Sequence, residues 1–215
     1  MSKGRLISFE GLDGAGKTTQ MQLLEQWLEA HDIAYVRTRE PGGTPLGTEI
    51  RQLLLNRPEL GITPLAEAFL FQADRAQHFS RVVLPALAEG FVVITDRCLD
   101  ASIAYQGHAR GVGIELVTRL SLIATQGHLP DLTILLDLDP SQVHTRTDIA
   151  NDKSGLREQK TRFDAEAEEF HQRVREAFLL LARIHPTRIK VLDASRPPQQ
   201  IQQEIIQLVE ALLQR

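Results

Sequence analysis

The sequence predicts an α/β fold in which a parallel sheet lies buried between two layers of helices. Two observations carry that prediction. Short runs that are apolar almost throughout alternate with longer segments of helical periodicity, and each run stops at polar or turn-forming residues. A third observation, a glycine-rich stretch directly after the first run, marks where ligands should gather, since in such sheets they bind outside the carboxyl ends of the strands.

The elements follow in order. RLISF gives a first strand and Lys17 to Ala30 a helix; AYVRT gives a second strand and Leu46 to Leu55 a second helix. Helical periodicity then runs from Pro64 to Glu89, with a bend or break expected at Pro85, which cannot donate an internal helical hydrogen bond. FVVIT is the third strand, Gly113 to Gln126 the next helix, and LTILLDL the fourth strand. After a polar tract from Thr147 to Thr161 come a helix from Phe163 to Ile184, the strand RIKVLDA and a helix from Pro198 to Leu213. The tract, charged and holding Ser154 and Gly155, reads as a mobile excursion, a lid over about 146–162.

Composition narrows the function. At 215 residues and 42% apolar, one domain spanning 1–215 is expected. Lys and Arg number 24 against 28 Asp and Glu, and a net charge of -4 gives no general reason to bind nucleic acid or an anionic membrane. Any phosphate site must therefore be local. The lone cysteine, Cys98, can form neither an internal disulfide nor a cysteine metal cluster, which suits a reducing, cytoplasmic setting. No run approaches the roughly 18 apolar residues of a membrane span.

Gly11-Leu-Asp-Gly-Ala-Gly16-Lys17-Thr18 fits G-x-x-x-x-G-K-[ST] and sits between a predicted strand and a predicted helix, the context that motif requires. Its glycines let the backbone curl so that N–H groups point at a polyphosphate, aided by the positive end of the following helix. Lys17 would neutralise the β- and γ-phosphates, and the Thr18 hydroxyl would ligate Mg²⁺. Asp96, ending FVVITD, places a carboxylate beside this loop where Mg²⁺ or its waters can be held. Arg97 reads as a phosphate clamp, because an unpaired buried guanidinium would be costly. The fold class sharpens to a P-loop NTPase three-layer sandwich.

Three further segments, TREPGGT, EAFLFQADRAQH and DRCLDASIAYQG, make the chain resemble the bacterial thymidylate kinases over nearly its whole length. The resemblance implies phosphoryl transfer from ATP to dTMP, giving dTDP and ADP, with Mg²⁺ and a homodimeric enzyme. It places ATP on Gly11, Leu12, Asp13, Gly14, Ala15, Gly16, Lys17, Thr18 and Thr19, with Arg146 against adenine and the DASRPP loop from Asp193 under the adenine edge. On the acceptor side it implies Phe71 stacking on thymine and Arg75 bonding the base, with Glu40 in the REPGGT turn among the binding residues. The i, i+4 spacing of Phe71 and Arg75 on one helix face suits a shared ligand. Ser102 and Gln106 would face the base, Tyr105 crowd the sugar 2′ position, Arg51 and Arg97 hold the acceptor phosphate, and Asp13 accept the 3′-hydroxyl.

Two departures from the pattern stand out. Cys98 replaces the aromatic or His that commonly follows Asp-Arg, and reads as a packing substitution. The lid is longer than usual, and Gly14 stands where some relatives carry an arginine, so a catalytic cation must come from elsewhere. In relatives of this type the lid arginine precedes a second arginine by five residues; with Arg162 matched to the second, the resemblance implies Arg157 as that cation, with Lys160 and Arg162 as alternatives. Rival readings are a P-loop kinase for another nucleoside monophosphate or for a deoxynucleoside, a catalytically dead nucleotide-binding module, and a nucleotide-dependent switch. Asn151-Asp-Lys-Ser does not supply the base-reading Asn-Lys-x-Asp of GTPase switches.

Overall fold

The structure, a computed structural model, describes residues 4–142, 163 and 166–214. Its centre is a five-stranded, wholly parallel sheet of order β2-β3-β1-β4-β5, built from β1 (Arg5–Glu10), β2 (Tyr35–Arg39), β3 (Val92–Asp96), β4 (Leu132–Asp137) and β5 (Ile189–Asp193). All five strands lie where the apolar runs predicted them.

Alternation along the strands sorts side chains onto two faces. Ile7 and Phe9 of β1, Val92 and Ile94 of β3, and Ile134 and Leu136 of β4 pack with Met21, Leu24 and Leu28 of α1 (Lys17–Ala30). The same layer holds Ile201, Ile205 and Val209 of the C-terminal helix, Pro198–Leu213. Leu6, Val93 and Leu135 point the other way, into a core with α2 (Pro45–Asn56), α3 (Pro64–His78) and the elements that follow them. Burying side chains of this size contributes roughly 1.5–3 kcal/mol each, so the two apolar layers hold the sheet between them. The face of Leu6 also carries a polar stripe, in which Ser8 and Thr133 share a 2.9 Å hydrogen bond. Asp100 accepts there from Thr133 and from both Nη atoms of Arg188 at 2.6 and 2.9 Å.

Three helical boundaries differ from expectation. The helix expected from Pro64 to Glu89 is continuous only to His78, widens into a π-type stretch at Phe79–Val83, and resumes as α4 (Leu84–Ala88). Pro85 is the cause. Its ring crowds the preceding turn, and the bonding shifts to i→i−5, with Leu84 N–H donating to the Phe79 carbonyl. The break thus spreads N-terminally from the proline. Second, α5 (Leu99–Ser102) and a π-type stretch at Ile103–Ala109 form a helix the sequence did not announce. Residues 98–107 are all buried, leaving no polar face and hence no period to read. After α6 (Ile114–Ala124), the third difference is that α7 runs over Glu168–Ile184, while Phe163, expected to begin it, lies in a turn. The C-terminal helix, α8, spans Pro198–Leu213 as expected. The predicted lid falls outside the described residues.

Strand order positions the site. The chain leaves β1 toward β2 on one side and leaves β3 toward β4 on the other, so the carboxyl ends of β1 and β3 flank the crevice where the order reverses.

Candidate active site

Gly11 to Gly16 form the turn between β1 and α1. Gly11 has φ 131°, and a Cβ there would lie 2.4 Å from the Leu136 carbonyl oxygen, so only glycine lets the loop start this close to β4. Gly16 caps α1 in the left-handed region and leaves the first-turn amides facing the loop. Lys17 curls back beneath the loop: its Nζ donates to the carbonyls of Gly11 at 3.2 Å and Leu12 at 3.1 Å, and lies 3.6 Å from Asp13 Oδ1. Thr18 and Thr19 are exposed at the helix start.

Across the crevice, at the end of β3, Arg97 adopts φ 68°, a conformation costly for a residue with a Cβ. Its Nη2 donates to Asp13 Oδ1 at 2.8 Å and to the Tyr105 hydroxyl at 3.2 Å, and its guanidinium carbon lies 4.9 Å from the centre of the Tyr105 ring. Arg97 Nη1 and Asp96 Oδ1 are both buried, and neither has a hydrogen-bond partner among the described residues. A free guanidinium donor and a free carboxylate oxygen, side by side at a glycine-rich loop, suit a phosphate and a divalent cation respectively. Desolvation would raise the Asp13 carboxyl, but the charges of Arg97 and Lys17 outweigh it and hold Asp13 well below the usual carboxylate range.

Arg51 joins them from α2, donating to the Pro41 carbonyl at 3.0 Å. Burial, then the neighbouring charge of Arg39, lowers its pKa, and Asp96, Asp13 and Arg97 all act on it. Arg39 is thus a cation of this site that sequence reasoning missed. Its signal was a charged residue at a strand's carboxyl end, one position before Glu40. Arg39 and Arg51 flank Gly42, where a Cβ would meet Arg51 Cδ at 3.1 Å and Arg39 Nε at 3.4 Å.

Beneath the acceptor side lies a buried polar network. Arg75, 1% exposed, uses all five N–H donors on the protein itself. Nε bonds Glu40 Oε2 at 2.8 Å; Nη1 bonds Gln72 at 2.8 Å and Ser121 at 3.3 Å; Nη2 bonds the Cys98 carbonyl at 3.0 Å and Ser102 at 3.1 Å. The other Glu40 oxygen pairs with His78 Nδ1 at 2.8 Å, and His78 Nε2 with Thr38 Oγ1 at 2.7 Å. Asp74 Oδ1 accepts from Gly42 N–H at 3.0 Å and ties the REPGGT turn to α3. Burial, reinforced by Glu40, pushes the Asp74 carboxyl up to about 6. Asp74 and His78 stand in the quoted segment EAFLFQADRAQH, which assigned them no role, and Ser121 had no sequence signal beyond helical position.

Ser102 and Gln106 are both buried, and Gln106 Nε2 donates to Glu67 at 2.8 Å. The Phe71 ring is 6.3 Å from Phe163, which in turn meets Tyr105 edge-on at 5.8 Å. Phe163, read from sequence as the start of a helix, therefore completes an aromatic wall. Cys98 is fully buried and burial pushes its thiol well above the usual range, so it packs rather than reacts. Asp193, at the carboxyl end of β5 beside Asp137, accepts from Ser195 N–H at 2.8 Å and closes the DASRPP turn at the P-loop end of the sheet. Arg146, Arg157, Lys160 and Arg162 lie outside the described residues.

Comparison with known proteins agrees with this geometry. The family model described as thymidylate kinase matches residues 9–205. A thymidylate kinase of Leifsonia xyli is 52% identical over 202 residues, covering 94% of this chain and 92% of its own. One of Symbiobacterium thermophilum is 46% identical over 209 residues, covering 97% and 94%. The crystal structure of thymidylate kinase from Ehrlichia chaffeensis superposes with TM-score 0.74 at 33% identity, covering 96% of this chain and 98% of that one. With a P-loop, a strained arginine facing it and a family match across nine-tenths of its length, the chain belongs to the thymidylate kinase family.

Proposed function

We propose that this chain, acting as one kinase domain, transfers the γ-phosphoryl group of ATP to dTMP, giving dTDP and ADP for dTTP synthesis. The observation that carries this reading is the meeting of Lys17, on the P-loop, and Arg97, at the end of β3, on one oxygen: Lys17 Nζ lies 3.6 Å from Asp13 Oδ1 and Arg97 Nη2 donates to it at 2.8 Å. Lys17 suits the donor polyphosphate and Arg97 the acceptor phosphate. Little covalent chemistry falls to the protein, because the acceptor is already an oxyanion; positioning and charge neutralisation do the work.

In this reading the amides of residues 11–19 cradle the ATP phosphates. Lys17 leaves its loop carbonyls for the transferring group. Arg51 and Arg97 hold the acceptor phosphate, with Arg39 at its rim. Asp13 accepts the sugar 3′-hydroxyl, and Tyr105 crowds the 2′ position. Phe71 stacks on thymine, with Ser102 and Gln106 along the base edge. Arg75 reaches a base carbonyl only by exchanging one of its five bonds, of which the 3.3 Å contact to Ser121 is the longest. Glu40 holds Arg75 in place. The Thr18 hydroxyl and the unpartnered Asp96 oxygen fit Mg²⁺, a hard cation that takes few protein ligands and completes its shell with phosphates and water. Bound there, it would neutralise charge on the β- and γ-phosphates. Arg157 is the lid cation this reading favours, and Arg146 the residue against adenine.

The chain is also read as a cytoplasmic homodimer. Among the described residues no helix is long and apolar enough to cross a membrane. Helices α2, α3 and α6 pack side by side and expose Leu46, Leu53, Leu65, Phe69 (53%), Leu116 and Ile123 (75%), an apolar surface that a second copy would cover.

The test is product analysis with ATP, Mg²⁺ and dTMP. Expected are dTDP and ADP in equal amounts, and no product from deoxythymidine without its phosphate. Absence of dTDP, or equal turnover of the nucleoside, overturns the reading.

A further inference from the structure

Glu10 is a buried acid with no part in the reaction as described above. It ends β1, immediately before the P-loop, and is fully buried. Its Oε1 accepts the Cys98 N–H at 2.7 Å, while Oε2 is buried without a hydrogen-bond partner among the described residues. An acid placed there for stability alone would be an expensive choice, since an apolar side chain would fill the space without a stranded oxygen.

What that bond restrains is the backbone of Arg97. The Arg97 N–H donates to the Phe9 carbonyl at 2.9 Å, and its own carbonyl accepts from Thr95 Oγ1 at 2.8 Å. The next amide, Cys98 N–H, is the one Glu10 holds. Three bonds therefore bracket a residue at φ 68°, where an arginine does not rest unaided. With that backbone fixed, the guanidinium reaches Asp13 and Tyr105 beside the P-loop and leaves Nη1 without a hydrogen-bond partner among the described residues. Without the Cys98 bond the peptide can turn over to the common region and swing the side chain away.

We propose that Glu10 is a positioning residue for acceptor binding: it locks Arg97 in its left-handed conformation, so that the guanidinium is preset for the dTMP phosphate. The proposal rests on the reading of Arg97 as an acceptor-phosphate arginine. Burial, with Asp100 reinforcing it, pushes the Glu10 carboxyl up to about 8, against the opposing charges of Arg97 and Lys17. Glutamine keeps an oxygen acceptor for the Cys98 N–H and is a close substitute for the acid.

The experiment is steady-state kinetics on the full chain with ATP and dTMP for Glu10→Leu, Glu10→Gln, Arg97→Ala and the double variant Glu10→Leu/Arg97→Ala. Glu10→Leu should raise the KM for dTMP about tenfold or more and change the KM for ATP less than about twofold, while Glu10→Gln stays within about threefold of the parent. In the Arg97→Ala background, Glu10→Leu should change kcat/KM less than about twofold, because its effect acts through Arg97. If Glu10→Leu does not accumulate as folded protein, Thr95→Val removes only the hydroxyl that holds the Arg97 carbonyl and should shift the dTMP KM in the same direction. An unchanged dTMP KM in Glu10→Leu, or in Thr95→Val when it stands in, overturns the proposal. So does an equal penalty with and without Arg97, which would mark a merely structural role. If Arg97→Ala itself leaves the dTMP KM unchanged, the acceptor-phosphate reading fails first and this proposal with it.

Discussion

Replacing Arg75 by Met tests whether the buried network beneath the acceptor side is a set of real pairings. Methionine fills much of the same volume and supplies none of the five donors. The substitution strands Glu40, whose side chain is 1% exposed and whose Oε2 pairs with Arg75 at 2.8 Å. Burial would raise the Glu40 carboxyl, but Arg75 first and His78 second hold it below its ordinary value, so the carboxylate depends on them. Removing one partner of a buried ion pair costs about 3–5 kcal/mol, and the stranded Gln72, Ser102 and Ser121 groups act in the same direction. For a chain of this length that is a fall of roughly 6–20 °C in melting temperature. Urea denaturation and thermal melting measure it. Adding Glu40→Gln should recover at least about 1 kcal/mol, because it removes the uncompensated charge. A loss below about 1 kcal/mol in Arg75→Met, or a strictly additive double variant, would refute the pairing argument.

Three further outcomes are expected. Lys17→Ala should lower single-turnover transfer by about 10²-fold or more with little change in melting temperature, since among the described residues the polar partners of Lys17 Nζ are the P-loop carbonyls and Asp13; transfer at the parent rate would remove it from the mechanism. Asp74 holds its proton up to about pH 6, raised from 3.8 by burial and Glu40, so between those values the native state binds more protons than the unfolded one. The parent should therefore lose stability relative to Asp74→Asn as pH rises from about 4 to 6, by up to roughly 3 kcal/mol, and a flat difference across that window in urea titrations would contradict the shift. On the proposed homodimer, the parent should sediment as a dimer and Phe69→Glu, on the exposed face of α3, as a monomer with its melting curve still cooperative; a monomeric parent contradicts the dimer, and a dimeric variant places the interface elsewhere.

The sequence carried the fold well where local physics decides it. Five strands were legible because a parallel sheet covered on both faces leaves uninterrupted apolar runs, and the P-loop because its glycines answer a close approach such as that of Gly11 to Leu136. Leu99–Ala109 was not legible as a helix, since burial on every side erases the amphipathic period. Pro85 announced a break but not its position, because the bonding shifts to i→i−5 in the turn before the proline, from Phe79 to Val83. Site residues divide in the same way. Lys17, Asp96 and Arg97 stand in motifs whose chemistry is legible, whereas Glu10, Arg39, Asp74 and Ser121 matter through contacts made only in the fold, so that even the strand-end position of Arg39 and the quoted segment around Asp74 did not reveal their partners.

The central claim is the identity of the acceptor, and the most direct measurement is kcat/KM for ATP-dependent ADP formation with dTMP, dUMP, dCMP and dGMP side by side. Polar groups left unpaired at the base edge should make dCMP and dGMP poorer than dTMP by about 10² or more, while dUMP, short of one methyl, should fall by roughly 10-fold. Equal values for dTMP and either dCMP or dGMP would contradict the account.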